Sequence, residues 1–198
     1  KATWVSRTNA DLVPADVTDL DSIRAAAEGT AIIFHCASGG SNREQYFNIN
    51  ETGTRNVLTV AAENQIPVIH VSTVAVHGPH LPDTLTEDSP FVSTGKAYGD
   101  SKIAGEKVVT DFSDRVHTTI VRPTFVWGPR SHLFTAGPMR AMASGSFRYI
   151  DHGAGRCHAV HVDNLVEALI LAAATVGERP SGNAYLVTDD IGGHNWKT

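Results

Sequence analysis

Apolar residues recur along the chain in two rhythms, short unbroken runs and longer stretches spaced three and four apart, and the two rhythms alternate. An unbroken apolar run bounded by turn residues reads as a strand buried on both faces. AIIFHCA over 31–37, PVIHVST over 67–73 and TTIVRP over 118–123 are of this kind, and Thr3–Arg7 and Leu12–Val17 read as two more short strands. Between the runs, DLDSIRAAAEG over 19–29 reads as a helix opened by aspartate and closed by glycine. Residues 44–64 read as a long helix ended before Pro67, and AYGDSKIAGEKVVTDF over 97–112 as another. Buried strands alternating with helices predict an α/β domain, a doubly wound parallel sheet whose ligands bind at the carboxyl ends of the strands. After Pro129 the rhythm changes: SFRYI, CHAVHV and NAYLVT surround helical stretches near 135–144 and 163–176. This predicts a small C-terminal substrate lobe over 130–198, set over a main domain of residues 1–129, with the site in the cleft between them.

Composition narrows the function classes. The 198 residues, 41% of them hydrophobic, suffice for one sizeable core. A net charge of −5 gives no electrostatic case for nucleic acid or an anionic membrane as partner. The longest apolar run, ALILAAA at 168–174, is too short to span a bilayer. Cys36 and Cys157 lack metal-ligand spacing, and the ten histidines form no H-E-x-x-H array, so no metal is expected. The thiols read as reduced and buried, in a cytoplasmic protein. Residue 1 is lysine, already in strand-like sequence, and no signal peptide is visible.

Chemistry enters with AYGDSK at 97–102. Tyr98 and Lys102 are one helical turn apart and share a face. A free tyrosine has a pKa of about 10, so about one molecule in a thousand carries a phenolate at neutral pH. A cation at ~4–5 Å in a partly shielded site favours the phenolate by ~3–4 kcal/mol at an effective dielectric of about 20. The pair is therefore suited to general acid/base work on an alcohol or carbonyl. Taken alone, Y-x-x-x-K also fits an amphipathic helix with a snorkelling lysine.

Further segments join it in order. They are ADVTD at 15–19, FHCAS at 34–38, NETGTRNVL at 50–58, VSTVAVHG at 71–78, VRPTFVWGP at 121–129 and HVDNLVEAL at 161–169. Together these resemble the extended short-chain dehydrogenase/reductase family, the epimerase/dehydratase and 3β-hydroxysteroid dehydrogenase-like group, over nearly the whole chain. The resemblance implies a Rossmann-like domain and a nicotinamide cofactor. It implies that Thr73 bonds the substrate oxygen, Tyr98 passes the proton, and Lys102 holds the nicotinamide ribose and lowers the tyrosine's pKa. Asp16 and Val17 would flank the adenine, Cys36, Ala37 and Ser38 would run beside the cofactor, and Pro123 and Thr124 would line its nicotinamide side. Asn50 matches the family's buried asparagine near the active site, while an ordinary helix N-cap explains it as well. Thr73 reads equally as a strand-end cap, Asp16 as a turn residue, and Asp163 as the cap of a helix in the second lobe. Family analogy also implies a homodimer built on the helices near 46–64 and 96–112.

Departures from the family pattern shape the rest. The glycine-rich G-x-x-G-x-x-G loop that cradles a pyrophosphate is absent from these 198 residues. Residues 1–7 resemble the family's second strand, so a first βα unit is expected upstream and more of the lobe downstream. That strand ends in Ser6-Arg7-Thr8 without a carboxylate, and a guanidinium suits a 2′-phosphate, so NADP is expected over NAD. Val74 and Ala75 follow Thr73 where a sugar 4,6-dehydratase of this family carries Asp-Glu. Phe125 stands where sugar-nucleotide enzymes place an asparagine, and Cys157 where they place an arginine, with Arg156 one position off. The expected activity is hydride transfer between the nicotinamide and a secondary alcohol or ketone of a small, fairly apolar substrate. A nucleotide-sugar epimerase or dehydratase, and a non-catalytic binding protein on the same frame, are the alternatives.

Overall fold

The computed structural model describes residues 10–79 and 84–189. Four parallel strands form its central sheet: β1 (Ile33–His35), β2 (Val68–Val71), β3 (Thr118–Pro123) and β6 (Asn183–Val187), in the spatial order β1-β2-β3-β6. Register runs Ile33 to Val68 to Thr118 across the first three, and Thr119 faces Asn183 on the last. Helices cover both faces, as the unbroken apolar runs require. On one face Val68 and Ile120 meet Val57, Leu58 and Val60 of α3 (Gly53–Asn64), Val108 and Val109 of the tyrosine helix α4 (Ala97–Asp111), and its C-cap Phe112. The first helix, α1 (Leu20–Ala27), packs Ile23 and Ala27 into the same cluster; Asp19 opens it by accepting from the amides of Asp21 and Ser22. On the opposite face Ile69 and Val121 meet Leu165 and Ala172 of α6 (Val162–Thr175). Neighbours Val68 and Ile69 thus point to opposite layers, as the two-residue period of a strand dictates.

Several expectations are corrected. Leu12–Val17 forms no strand: Pro14 has no N–H to give a ladder, and Leu12 and Val13 are exposed. The long helix over 44–64 divides into α2 (Arg43–Phe47), a π turn over Asn48–Thr52, and α3. NAYLVT, expected in the smaller lobe, supplies β6 and extends the main sheet, while α6 covers that sheet's second face. What stands apart from the main sheet is smaller and begins before Pro129: β4 (Phe125–Trp127) pairs in parallel with β5 (Ala159–His161), beside a short π turn and α5 (Gly137–Ala143). His161, rather than Asp163, caps α6, its Nδ1 accepting from the Asp163 amide at 3.3 Å. Cys36 is exposed and Cys157 partly so, against the expectation of buried thiols. Among the described residues no helix is long and apolar enough to cross a membrane.

Candidate active site

Three strand ends and one helix build the site. β2 leaves the sheet at Val71, and Ser72 and Thr73 lead into a 3-10 turn over Val74–His77. Thr73 Oγ1 accepts from the Ala75 amide at 3.2 Å, which leaves its hydroxyl hydrogen to donate elsewhere. Beside this turn runs the first half of α4. Its start is tied down by Asp100, whose carboxylate accepts from the Ser93 hydroxyl at 2.9 Å and the Thr94 amide at 3.2 Å. Tyr98 and Lys102 project from α4 toward the turn, and their surroundings differ sharply: 41% of Tyr98 is exposed and 2% of Lys102. The ammonium donates to the Val71 carbonyl at 2.7 Å, so the end of β2 fixes it in place. Burial pushes Lys102 down to about 8, against opposing pulls from the Glu106 charge and, more weakly, Cys36.

A cavity of about 590 Å³ opens over these groups. Cys36 and Ser38 from the end of β1, Thr73, Tyr98, Lys102, and Pro123 with Thr124 from the end of β3 all line it. Seven of the residues expected at the site are thereby brought together. Apart from Ser72, the remaining wall is mostly apolar, including Val71, Val74, Val126, Leu165, and an aromatic pair in which Phe125 stacks on Phe134 at 4.8 Å. Arg156 and Cys157 are not among the lining residues.

Other expected residues stand elsewhere. Asn50 lies behind α4, 1% exposed within the π turn, so it caps nothing; its Nδ2 donates to Ser101 Oγ at 2.9 Å. Asp16 is exposed and closes a turn, its Oδ1 accepting from the Thr18 amide at 2.9 Å and the Thr18 hydroxyl at 2.8 Å. Val17 and Ala37 line a second cleft against α1, away from Tyr98. Arg7 lies outside the described residues.

The N-x-x-G-T-x-N pattern now has a physical account. A Cβ on Gly53 would sit 2.7 Å from Val17 Cγ2, and Asn56 Nδ2 donates to the Val17 carbonyl at 2.9 Å. Thr54 Oγ1 bonds both the Asn50 carbonyl at 2.7 Å and His35 Nε2 at 3.0 Å. On the facing helix a Cβ at Gly105 would fall 2.6 Å from the Asn50 carbonyl oxygen, so the π turn and α4 touch backbone to backbone. Beneath the site lie groups the motif reading left without a role. His35 and His70 sit with ring centroids 5.3 Å apart, and burial, with a smaller contribution from the Lys102 charge, pushes His35 down to about 4 and His70 well below its ordinary value. Glu106 and Arg122 form a buried pair at 2.7 Å, with the Ser72 hydroxyl donating to Glu106 in a short contact. Glu106 was detectable in the sequence, four residues after Lys102 on the same helical face.

A parallel sheet with a tyrosine–lysine helix at its carboxyl edge is the frame that the comparisons with known proteins share. The model of the NAD dependent epimerase/dehydratase family matches residues 1–188, and the chain belongs to that family. It is 30% identical over 181 residues to a 4-hydroxy-2-methyl-3-oxo-4-farnesyl-3,4-dihydroquinoline-1-oxide ketoreductase of Stigmatella aurantiaca, covering 85% of this chain and 52% of that one. It is 27% identical over 188 residues to the human sterol-4-alpha-carboxylate 3-dehydrogenase, decarboxylating, covering 88% of this chain and 50% of that one. The chain thus spans about half the length of these curated relatives. Among solved structures, a dTDP-glucose 4,6-dehydratase from Streptomyces venezuelae with NAD and TYD bound superposes with a TM-score of 0.79. At 24% identity over 92% of this chain and 61% of that one, this likeness concerns the fold.

Proposed function

We propose that the intact protein is an oxidoreductase that moves a hydride between a nicotinamide cofactor and a secondary alcohol or ketone on an apolar substrate. The observation that carries this reading is the composition of the cavity. Thr73, Tyr98 and Lys102 are its reactive groups, and Phe125, Phe134, Val74, Val126 and Leu165 line the space before them. The residues present suit the nicotinamide-ribose half of the cofactor. Lys102 spends one of its three donors on Val71, and the rest lie at the cavity wall, where ribose hydroxyls would meet them. The bound cofactor would supply the hydride acceptor or donor.

The chain's own side chains do the remainder. The Thr73 hydroxyl donates to the substrate oxygen and fixes its position. The Tyr98 phenol gives that oxygen a proton in reduction and removes it in oxidation. Lys102, one helical turn away on the same face, holds the ribose beside the phenol. The apolar wall excludes water and accepts the body of the substrate. A diphosphate would need charged or strongly donating partners to replace its water, and Phe125 offers none. The two named relatives, a ketoreductase and a sterol dehydrogenase, agree with this reading. Arg7, at the expected end of the preceding strand, would pair with a 2′-phosphate and favour NADP.

A cofactor-reduction assay with apolar secondary alcohols, run with NAD and NADP, is expected to show turnover with the larger kcat/KM for NADP. Thermal-shift titrations with UDP-, GDP- and dTDP-sugars are expected to show no stabilisation. A shift of several degrees with one of these sugars, and no turnover of any alcohol, would replace this reading with sugar-nucleotide chemistry.

A further inference from the structure

Among the described residues Glu106 and Arg122 form a buried pair with several hydrogen bonds, and Glu106 lies one helical turn from Lys102 on α4. Glu106 is 1% exposed and Arg122 5%. Arg122 Nε meets both carboxylate oxygens, at 3.0 and 3.1 Å, and Nη2 meets Oε2 at 2.7 Å. Ser72, next to Thr73, donates its hydroxyl to the same carboxylate. The remaining guanidinium nitrogen reaches outward, donating to the Glu87 carbonyl at 2.7 Å and to His77 Nε2 at 3.3 Å. His77 in turn bonds the Pro90 carbonyl through Nδ1 at 3.1 Å. The carboxylate has no bond to Lys102. Its donors are Ser72, just past β2, and Arg122 of β3, while on α4 it stands at i+4 from the lysine, on the same helical face.

We propose that the Glu106–Arg122 pair is a positioning device for Lys102: Arg122 and Ser72 anchor the Glu106 carboxylate, and that carboxylate keeps the buried lysine an ammonium. Two observations beyond the pair itself support this. First, Lys102 has a neutral carbonyl as its hydrogen-bond acceptor, so Val71 fixes its position and supplies no countercharge. Second, the titratable groups facing Lys102 from the neighbouring elements give it little other help. On β1 and β2, His35 and His70 are held neutral by burial. Cys36, at the end of β1, pulls on it more weakly than Glu106. Tyr98, on α4, is the group the lysine itself is proposed to serve, and Arg122, on β3, carries the same sign as the lysine. Desolvation works against the ammonium, and the Glu106 charge is the largest influence opposing it.

The inference rests on the oxidoreductase reading only for what the charge is used for, and its test can be made without turnover. Competitive labelling of lysines by acetic anhydride at a series of pH values, read by mass spectrometry on the intact protein, reports where Lys102 loses its proton. The double variant E106Q/R122M decides, because replacing both partners leaves no unpaired charge and preserves folding. Its Lys102 is expected to lose the proton about one unit lower than wild type, and the basic limb of kcat/KM is expected to move with it. The single variant E106Q is expected to shift in the same direction with a lower Tm. Arg122→Lys, which keeps a cation beside Glu106, is expected to leave the labelling profile in place. The proposal is overturned if the folded double variant titrates like wild type, if Arg122→Lys shifts as far as E106Q, or if the double variant does not fold. Absence of turnover in wild type, with the labelling shift intact, would sink the activity and leave this inference standing.

Discussion

Two polar clusters are buried under the α4 side of the sheet, and they meet the cost of burial in opposite ways. Between β1 and β2, His35 has one partner, Thr54, and both ring nitrogens of the fully buried His70 lack one among the described residues. Between β2 and β3, the Glu106 carboxylate and the Arg122 guanidinium are met by each other, by Ser72 and by Glu87 and His77. A titratable ring without a countercharge escapes by staying neutral, as both histidines do. A guanidinium cannot escape that way, so its pairing must be complete. Lys102 stands between the two solutions: buried, bonded to a neutral carbonyl, and pushed down to about 8.

Breaking the charged cluster has the largest expected effect. Arg122→Ala leaves a buried carboxylate without its cation and frees the loop held at Glu87, and a loss of ~3–5 kcal/mol is expected. Chemical denaturation against wild type measures it; a loss under about 1 kcal/mol would mean the pair is a bystander.

The neutral cluster responds to pH. Its folded-state pKa values lie below the unfolded value of 6.5, so the unfolded chain binds more protons in that window. Stability therefore falls as pH drops from about 6.5 toward about 4, by on the order of 3 kcal/mol for His35 alone. His70→Leu removes one contributor and is expected to make the acid limb shallower, with a gain of about 1 kcal/mol at neutral pH from losing a partnerless polar ring. Melting curves from pH 7 to 4 on both proteins check this. An unchanged acid limb would show that His70 holds no share of it.

The same contrast explains what was legible in the sequence. Strand runs such as TTIVRP and the helical face of Tyr98 and Lys102 follow from local periodicity, and the structure has a strand and a helix there. The Arg122–Glu106 bond joins residues 16 positions apart on different elements, and no periodicity encodes it. Asn50 read as a buried asparagine near the site or as a helix cap, because asparagine favours caps, and it is buried. The observed π turn puts it mid-helix, where its backbone approaches α4 closely at Gly105. Leu12–Val17 looked like strand on its apolar residues, yet Pro14 breaks the ladder. Phe134 and Leu165 reach the cavity through the tertiary fold, so only Phe125, within the R-P motif, could be singled out beforehand.

Lys102 matters because of Tyr98, and one substitution isolates the tyrosine. Tyr98→Phe removes a single oxygen from a side chain that is 41% exposed, so the fold and cofactor affinity are expected to persist. Steady-state kinetics of the intact protein with its best alcohol substrate are expected to show kcat reduced by ~10²–10⁴-fold, the range general acid/base catalysis supplies. A variant that keeps more than about a tenth of the wild-type kcat would contradict the assignment of proton transfer to Tyr98.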